Sequence, residues 1–568
     1  MKKTLVMPLL AALAVTSLIG CNKKTNKGDG KPADPLDLGE QFNADYYPKK
    51  EDNNVANIVG KSSSKMKIDI AINFEDTEDA WEAVAKEYER LCGNLVEVKL
   101  VTGLDTNAYT ERIRNEEVNP NTDWDIVQGN LMNSPESHAV DLRSTVQSSK
   151  NPYAGNRTWV DLLEEEAYIT DTSGATDFCY YLNSENLSTA WFINTEAAAN
   201  AAISDTTPET WDELIEILEA MQQAGYKYPL GLTLSKDGIE ASQFSWLLRV
   251  YGDYFFRDNY IHTSKTFNPI NKTDSKFVYD KTSENIEASA GFSFSINRCL
   301  ATMLDSSCEF FVGPTSDKYN DFLYQIGRLA KYIKPSAYSL SFNEVRTSFM
   351  AQADGNNGDE APQVILDYSG EGLAFLNAPK LKNSIDYFDY PTIVSDQVPE
   401  GTLTRDVGGN GGYLALLHYH NKKQTDLNKD FLKYFLSPYG QSIYYKALSE
   451  KGKAPKGLTT VKNDLVLIPN EWKEFFQTDK ISFTGLADNN SHLNEGAYRF
   501  FTSTRAMNKS VELWQKYMKP TGAITYSSFS IDLLETFISC YADIATEQNW
   551  PSDGYYASHF DNPNYIKS

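Results

Sequence analysis

The sequence predicts an α/β fold built on helix-covered, largely parallel sheets. Three observations lead to this prediction. Strand-like and helix-like segments alternate from residue 67 onward, the alternation starts afresh near residue 189, and the chain of 568 residues is long enough for more than one core. About 41% of the residues are hydrophobic and 23% are charged, which excludes disorder over most of the length.

The first sheet is predicted from residues 67–130. The strand 67–73 alternates and is β-branched, the helix 78–91 carries an apolar stripe, and strands at 96–101 and 124–127 flank a helix over 109–118. Such alternation implies parallel strands, and ligands bind beyond the carboxyl ends of such strands. Four polar residues are therefore expected together at one rim: Glu75, Asp76, Gln128 and Asn130.

A second set of elements follows. We expect strands at 189–194, 228–232, 364–368, 387–391 and 413–417, the last after a glycine-rich run over 408–412. A helix with an N-cap threonine and early acidic residues is expected to run to about Gln223 and to stop at Gly225. Residues 430–448 predict one amphipathic helix, and residues 257–287 predict a loop-rich surface elaboration.

The N-terminus predicts the destination of the protein. Lys2 and Lys3 precede a run of 16 mostly apolar residues that ends in Leu18-Ile19-Gly20-Cys21. This run is short for a membrane span and fits a secretion signal. Its end resembles a bacterial lipobox, whose cysteine is diacylated; an ordinary signal with an incidental cysteine is the alternative. Residues 22–65 are polar and predict a flexible tether.

Composition and motifs exclude several functions. A net charge of −24 argues against nucleic-acid binding, and six Cys and six His are too scattered for a zinc framework. Phosphate-loop, zinc-protease and serine-hydrolase motifs are missing, so we expect no enzyme, no cofactor and no metal. After Cys21, five cysteines remain, and buried thiols are the default for them: Cys92, Cys179, Cys299, Cys308 and Cys540.

Four stretches, in this order, carry a family resemblance. They are the opening elements that end in Trp124-Asp125-Ile126-Val127; Trp191-Phe192-Ile193-Asn194 with Pro208-Glu209-Thr210-Trp211-Asp212-Glu213-Leu214; Gln243-Phe244-Ser245-Trp246 with Tyr251-Gly252-Asp253; and Gly408-Gly409-Asn410-Gly411-Gly412 with residues 430–441. Together they resemble the extracellular sugar-binding proteins of bacterial ABC importers, the maltose-binding-protein family. The resemblance spans roughly residues 66–550.

The resemblance implies a two-lobed fold of type II with a hinge. Its expected divisions are a signal peptide over 1–21, a tether over 22–65, lobe one over 66–182 plus 410–455, lobe two over 187–405 plus 458–550, and a tail over 551–568. It implies a monomer, held at the cell membrane by its lipid, that faces the extracellular side or the periplasm. The implied partners are a carbohydrate, such as an oligosaccharide, and the transmembrane permease subunits of an ABC importer.

Candidate ligand-binding residues combine aromatic faces for sugar C–H groups with polar groups for hydroxyls. A Gly-Pro-Trp that is common in the family is replaced here by Tyr368-Ser369-Gly370, so Tyr368 or another aromatic supplies the stacking face. For Trp191 and Trp246 both a cleft position and a core position remain open. Beyond the four residues of the first rim, the candidates are Trp191, Gln243, Trp246, Asp367, Tyr368, Glu371, Tyr413, Tyr526 and Phe529.

A second function remains open at this point. A cell-surface lipoprotein that captures or cleaves glycans, either a SusD-like helical binder or a glycoside hydrolase, would share the N-terminal signal. The opening strand–helix alternation argues against the helical binder.

Overall fold

The computed structural model describes most of residues 33–539. The undescribed segments within that range are 53–54, 61–63, 73–76, 105, 119–123, 130–131, 133–134, 165–166, 169–177, 241, 264–291, 295–314, 352–359, 378–383, 403, 405–408, 411, 419–420, 477–506 and 520–524. Cys21, Glu75, Asp76, Asn130, Cys299, Cys308 and Cys540 therefore lie outside the described residues.

The described strands occur in five small sheets. They are β1 Met66–Ala71, β2 Val96–Val101, β3 Ile126–Gln128, β4 Lys150–Asn151, β5 Arg157–Thr158, β6 Leu182–Asn183, β7 Glu185–Leu187, β8 Thr189–Asn194, β9 Leu230–Gly231, β10 Ile261–Thr263, β11 Phe292–Phe294, β12 Val364–Tyr368, β13 Ile385–Phe388, β14 Gly409–Asn410, β15 Tyr413–Leu416 and β16 Leu458–Thr459.

The α-helices cover the sheets. They are α1 Val55–Val59, α2 Glu78–Leu91, α3 Thr106–Val118, α4 Pro135–His138, α5 Arg143–Ser148, α6 Thr195–Asn200, α7 Trp211–Gln223, α8 Lys236–Glu240, α9 Gln243–Tyr260, α10 Asp317–Gly327, α11 Phe342–Met350, α12 Ser369–Asn377, α13 Lys422–Phe435, α14 Pro438–Glu450, α15 Asn470–Phe476, α16 Met507–Tyr517 and α17 Tyr526–Ser539.

Two sheets form the two halves of the molecule, and the predicted two-lobed α/β class is confirmed. The five-stranded sheet has the order β2-β1-β3-β15-β6, in which β1, β2 and β3 are parallel and β15 is antiparallel to both of its neighbours. The four-stranded sheet has the order β13-β8-β12-β9, and only β12 and β9 are parallel there.

A third sheet connects these two. Its order is β14-β7-β16, with both pairs antiparallel. Strand β7 continues β6 of the five-stranded sheet and leads directly into β8 of the four-stranded sheet. Strands β14 and β16 lie on the chain near the other two boundaries between the expected lobes, 405–410 and 455–458. We call this three-stranded sheet the crossing sheet.

Alternation of side chains along each strand builds the core. In β8, Trp191 and Ile193 join one apolar cluster, while Ala190 and Phe192 join another. The second cluster also contains Ile68 and Ile70 of β1, so it is shared by the five-stranded and four-stranded sheets. Period-two alternation with both faces covered explains why the strands are rich in large apolar residues.

The helix starts follow local capping chemistry. The Thr210 side chain accepts a hydrogen bond from the backbone N–H of Glu213, and the Glu213 carboxylate accepts one from the backbone N–H of Thr210. The expected single helix over 430–448 is wrong. Two helices are present, α13 and α14, because Ser437 caps a new helix and Pro438 occupies its first turn.

Two further segments differ from expectation. Residues 257–260 complete helix α9, and β10 follows and pairs with β11, so the expected loop does not begin at 257; the part of that prediction over 264–287 lies outside the described residues. Residues 33–52 and 55–59 do not form a free tether. Leu38, Phe42 and Val55 are buried in the shared core cluster, which fixes this N-terminal strap to the body.

Tyr439 holds the start of the strap. Its hydroxyl hydrogen bonds with the Glu87 carboxylate and with the backbone of Leu36, and Phe42 and Tyr47 pack against its ring with centroids 6.1 and 5.8 Å away.

No helix among the described residues is long and apolar enough to span a membrane.

Candidate functional site

The crossing sheet faces the carboxyl ends of parallel strands from both halves. Strand β3 runs toward it, because Gln128 pairs with Leu414 near the start of β15, which closely follows β14. Strand β12 also runs toward it, because Tyr368 pairs with Thr189 directly after β7. Strands β1 and β9 are parallel to β3 and β12, respectively. Two ligand-binding edges of α/β sheets therefore converge on one place.

The edge of the five-stranded sheet is held by uncharged hydrogen bonds; we call it the first rim. The Tyr109 hydroxyl donates to the Gln128 carbonyl at 2.7 Å and accepts from the Gln128 N–H at 3.0 Å. The Gly129 N–H donates to the Tyr413 carbonyl at 2.8 Å. Gln128 and Tyr413 are largely buried, and the Tyr413 ring lies 5.5 Å from that of Tyr181. These contacts fix the end of β3 beside the crossing sheet.

The edge of the four-stranded sheet, the second rim, carries an aromatic cluster. The Trp246 ring lies 4.8 Å from Tyr368 and 5.5 Å from Phe342, and Tyr368 and Phe342 are 6.0 Å apart. Trp246 is only 3% exposed, whereas Tyr368 is partly buried. Phe342 is also partly buried, but the Arg346 guanidinium lies over its ring, 4.5 Å from the ring centre. Tyr368 is therefore our candidate for the aromatic face offered to a ligand, with the buried Trp246 packed against it.

Charged side chains lie beside the aromatic cluster. Asp367 is fully buried and accepts two hydrogen bonds from the Arg346 guanidinium, at 2.8 Å from Nε and 2.6 Å from Nη2. Burial raises the pKa of Asp367 to about 6, although Arg346 opposes this shift. Glu371 lies 3.4 Å from Arg346 and 3.2 Å from the Lys456 ammonium. We call these four residues the charge cluster.

The charge cluster connects the second rim to the crossing sheet. Lys456 lies two residues before β16, and the backbone there packs so closely on Gly370 that a Cβ at Gly370 would overlap the Pro455 and Lys456 carbonyls. In β7, the buried Glu185 carboxylate accepts hydrogen bonds from the backbone of Lys456 and Gly457. Burial raises the pKa of Glu185 to about 7.

Two other candidate residues are buried in the core and are not exposed at the second rim. Trp191 is fully buried, with its ring parallel to Phe388, so neither face is open to a sugar. Gln243 is also fully buried, and its amide bonds the backbone of Thr233 and Leu366. Both residues support the second rim from within the core.

Two late aromatic candidates lie on a different surface. Tyr526 begins helix α17 and is 44% exposed in a groove between helices. Phe529 is fully buried and packs in parallel on Tyr517, with ring centroids 4.6 Å apart. Neither residue is among those that surround the crossing sheet in the described part of the chain.

Sequence reasoning missed three residues of this site. Arg346 is 21 positions from Asp367, and Lys456 is 85 positions from Glu371. The only local signal near Arg346 is a capping box formed by Ser341 and Glu344, which marks a helix start and says nothing about a partner. Glu185 lies in a short polar stretch, where nothing in the sequence indicates burial.

Comparisons with known proteins give low-identity structural similarities. No family model matches the chain, and no curated protein matches it. A family 1 extracellular solute-binding protein from Bifidobacterium longum subsp. infantis is 16% identical, with 84% of this chain and 100% of that chain covered and a TM-score of 0.48. A chitin oligosaccharide binding protein is 16% identical, with 84% and 99% covered and a TM-score of 0.49.

A third solved structure is a binding protein of an ABC transporter from Bifidobacterium animalis subsp. lactis ATCC27673, in complex with mannobiose. It is 14% identical, with 84% of this chain and 95% of that chain covered and a TM-score of 0.47. The chain is thus similar to extracellular solute-binding proteins over most of its length, and its own strand order defines its two-lobed fold.

Proposed function

We propose that this protein is a solute-binding lipoprotein that captures an oligosaccharide between its two halves and delivers it to the permease subunits of an ABC importer. One observation carries the proposal: the carboxyl ends of parallel strands from two separate sheets converge on the sheet through which the chain crosses between them. A ligand held there touches both halves, so binding favours their closure.

The carbohydrate class is supported by the sequence resemblance and by the side chains at the two rims. Tyr368 offers an aromatic face for sugar C–H groups, and Glu371 offers a carboxylate for hydroxyls. Gln128 and Tyr413 adjoin the rim on which Glu75, Asp76 and Asn130 are expected from their places in the sequence. Catalysis is not part of this proposal, in which the ligand leaves unchanged.

Ligand stabilisation tests the proposal most directly. Thermal unfolding of the protein with a panel of mono- and oligosaccharides should identify a sugar that stabilises it by about 2.7 kcal/mol at 100 times Kd. If no saccharide shifts the transition, carbohydrate capture is excluded. If the sugar is cleaved to new reducing ends on long incubation, the alternative of a glycan-cleaving surface lipoprotein replaces this proposal.

Substitution at the second rim then separates binding from packing. Tyr368→Ala should weaken sugar binding about 10- to 100-fold in a calorimetric titration, since aromatic anchors dominate such contacts. Trp246→Ala should mainly lower Tm, because Trp246 is buried behind Tyr368. Tyr387→Ala, on β13, is the matched control for an aromatic residue outside the site. Equal affinities of the Tyr368→Ala variant and the wild type would contradict this assignment.

Closure and anchoring are further parts of the proposal. Three crossings permit the halves to rotate without unfolding, so small-angle scattering should show a smaller radius of gyration with saturating sugar.

We propose acylation of Cys21, on the basis of Leu18-Ile19-Gly20-Cys21. Cys21→Ala should release the protein from membranes, and its unchanged retention there would contradict the anchor. The protein acts as a monomer in this scheme.

A further inference from the structure

A second groove lies on the helical surface of the four-stranded half. It has a volume of about 500 Å³, within the range of small-molecule sites. Helices α7, α10, α16 and α17 and the 3-10 turn Arg328–Tyr332 surround it. These helices cover one face of the sheet, so the groove is distinct from the strand ends at the crossing sheet.

Two exposed tyrosines meet in this groove. Tyr324 is 53% exposed and Tyr526 is 44% exposed, and both belong to a small group of large side chains with apolar bodies that are exposed among the described residues. They come from helices about 200 positions apart in the chain. Open aromatic faces that converge from distant elements indicate a ligand surface more than they indicate chance exposure.

The groove has a rigid floor. The Tyr517 hydroxyl donates to the Leu323 carbonyl at 2.6 Å, and its ring packs on Phe529 with an interplanar angle of 9°. A Cβ at Gly327 would overlap the Tyr517 hydroxyl, so the absence of a side chain at this position lets Tyr517 lie under the groove. A preformed floor lowers the entropic cost of binding.

Cations line the same groove. Arg328, Lys331 and Lys519 face it. Arg328 pairs with the Asp212 carboxylate on α7, and Lys331 lies 3.9 Å from the half-exposed Glu219 carboxylate. The Lys519 ammonium lies 5.9 Å from the ring centre of Tyr338 and supplies the excess positive charge of the groove, on a protein whose net charge is −24. The groove therefore attracts an anion.

We infer that this groove is a second binding site, separate from the proposed interlobe site, and that it takes a carboxylate-bearing saccharide unit. The tyrosine faces suit the C–H face of a sugar ring, and the lysine and arginine groups suit its carboxylate. A nucleotide could also stack on the tyrosines, but specific recognition of a base adds hydrogen bonds to its edges, for which amide and carboxylate side chains are suited. Among the lining residues the half-exposed Glu219 is the only such group.

Calorimetric titration of the complete chain with trigalacturonate tests the inference. Maltotriose is the neutral counterpart of that probe, and AMP represents the nucleotide class. We expect trigalacturonate binding that weakens at least fivefold between 20 and 500 mM NaCl, because exposed charges are screened. No binding of trigalacturonate, equal affinities of this groove for maltotriose and trigalacturonate, or tighter binding of AMP would overturn the assignment.

Paired variants locate the site. Tyr526→Ala and Lys519→Ala should each weaken trigalacturonate binding roughly tenfold, while Tyr526→Phe retains it. Ile531→Ala, on the same helix and 44% exposed, and the exposed Lys516→Ala are the matched controls. Tm of each variant checks that it is folded. If the Tyr526 and Lys519 variants are folded and bind like their controls, the groove is not the site, whatever happens at the interlobe site.

Discussion

The two rims hold the ends of their strands with different kinds of interaction. At the first rim, Tyr109 fixes the end of β3 through uncharged hydrogen bonds to the backbone. At the second rim, the end of β12 is held by a buried carboxylate, Asp367, and its partner Arg346. Uncharged hydrogen bonds contribute little individually and do not change near neutral pH, whereas buried ions are costly to leave unpaired. The second rim is therefore the part that is sensitive to substitution, and its Asp367 together with Glu185 of the adjoining crossing sheet makes this side of the molecule sensitive to pH.

The largest effect is expected from breaking the ion pair at the second rim. Arg346→Met leaves Asp367 buried without its partner and should lower the free energy of unfolding by about 3–5 kcal/mol. Urea unfolding measures it. The double variant Arg346→Met with Asp367→Leu should recover most of the loss, and Lys86→Met, at an exposed pair with Glu82, should cost under about 1 kcal/mol. A loss of only about 1 kcal/mol for Arg346→Met would mean that the two rims are equally tolerant of substitution.

The pH dependence of stability should come next in size. The folded-state pKa of Glu185 is about 7, above its ordinary value of 4.5, so the folded state holds a proton that the unfolded state has already lost between these values. Stability should therefore fall by about 3 kcal/mol as pH rises from 4.5 to 8. Asp367, whose folded-state pKa is also raised, adds a loss in the same direction at slightly lower pH.

Glu185→Gln isolates this contribution. The amide still accepts the backbone hydrogen bonds but does not ionise, so urea unfolding of this variant should lose the Glu185 part of the pH dependence. Glu450→Gln, at an exposed position, should keep the pH dependence of the wild type. Identical pH profiles for the Glu185→Gln variant and the wild type would show that the crossing sheet does not respond to pH through this residue.

Close packing at the second rim gives a smaller effect. Gly370→Ala places a methyl group against the Pro455 and Lys456 carbonyls and should destabilise the protein by about 2 kcal/mol. Gly452 is a useful contrast: its φ is +65° and no atom lies within 4 Å of a Cβ there, so Gly452→Ala should cost only about 1 kcal/mol through backbone strain. Chemical unfolding compares the stabilities of the two variants. An unchanged free energy of unfolding for Gly370→Ala would show that the backbone at Pro455 and Lys456 moves away at little cost.

The smallest effect is expected at the first rim. Tyr109→Phe removes the hydroxyl that bonds the backbone of Gln128 and Ala71, and it should cost about 1 kcal/mol, independent of pH between 5 and 8. Tyr226→Phe, whose hydroxyl accepts only an exposed hydrogen bond from Asn200, should stay within about 0.5 kcal/mol of the wild type. A loss for Tyr109→Phe as large as that for Arg346→Met would remove the contrast between the rims.

Local patterns predicted much of the fold. Alternation placed β1, and a short apolar run closed by Ser369-Gly370 placed β12. The helix over Glu78–Leu91 was predicted with its observed bounds, because burial of one helix face imposes a period that the sequence displays. The division of residues 430–448 into two helices was also encoded locally, in Ser437-Pro438, but the continuous apolar pattern obscured it.

The site was less predictable because its chemistry depends on partners far apart in the chain. Asp367 and Tyr368 could be placed at a strand end, but the ion pair with Arg346 depends on how α11 packs against β12. The strap was missed for a related reason. Leu38, Phe42 and Tyr46 are isolated among polar residues, and no period reveals that they are buried.

In the proposed anchoring scheme, the docked strap determines the length of the linker between the lipid and the folded body. Between Cys21 and the first described strap residue, Ala33, there are eleven residues, which span at most about 40 Å when fully extended. A free tether over 22–65 would have reached roughly 150 Å. A linker this short would confine the protein to a thin layer above the bilayer, which would raise its effective concentration at a membrane transporter. Under the proposed function, loaded protein would then meet a permease mainly by lateral diffusion along the membrane.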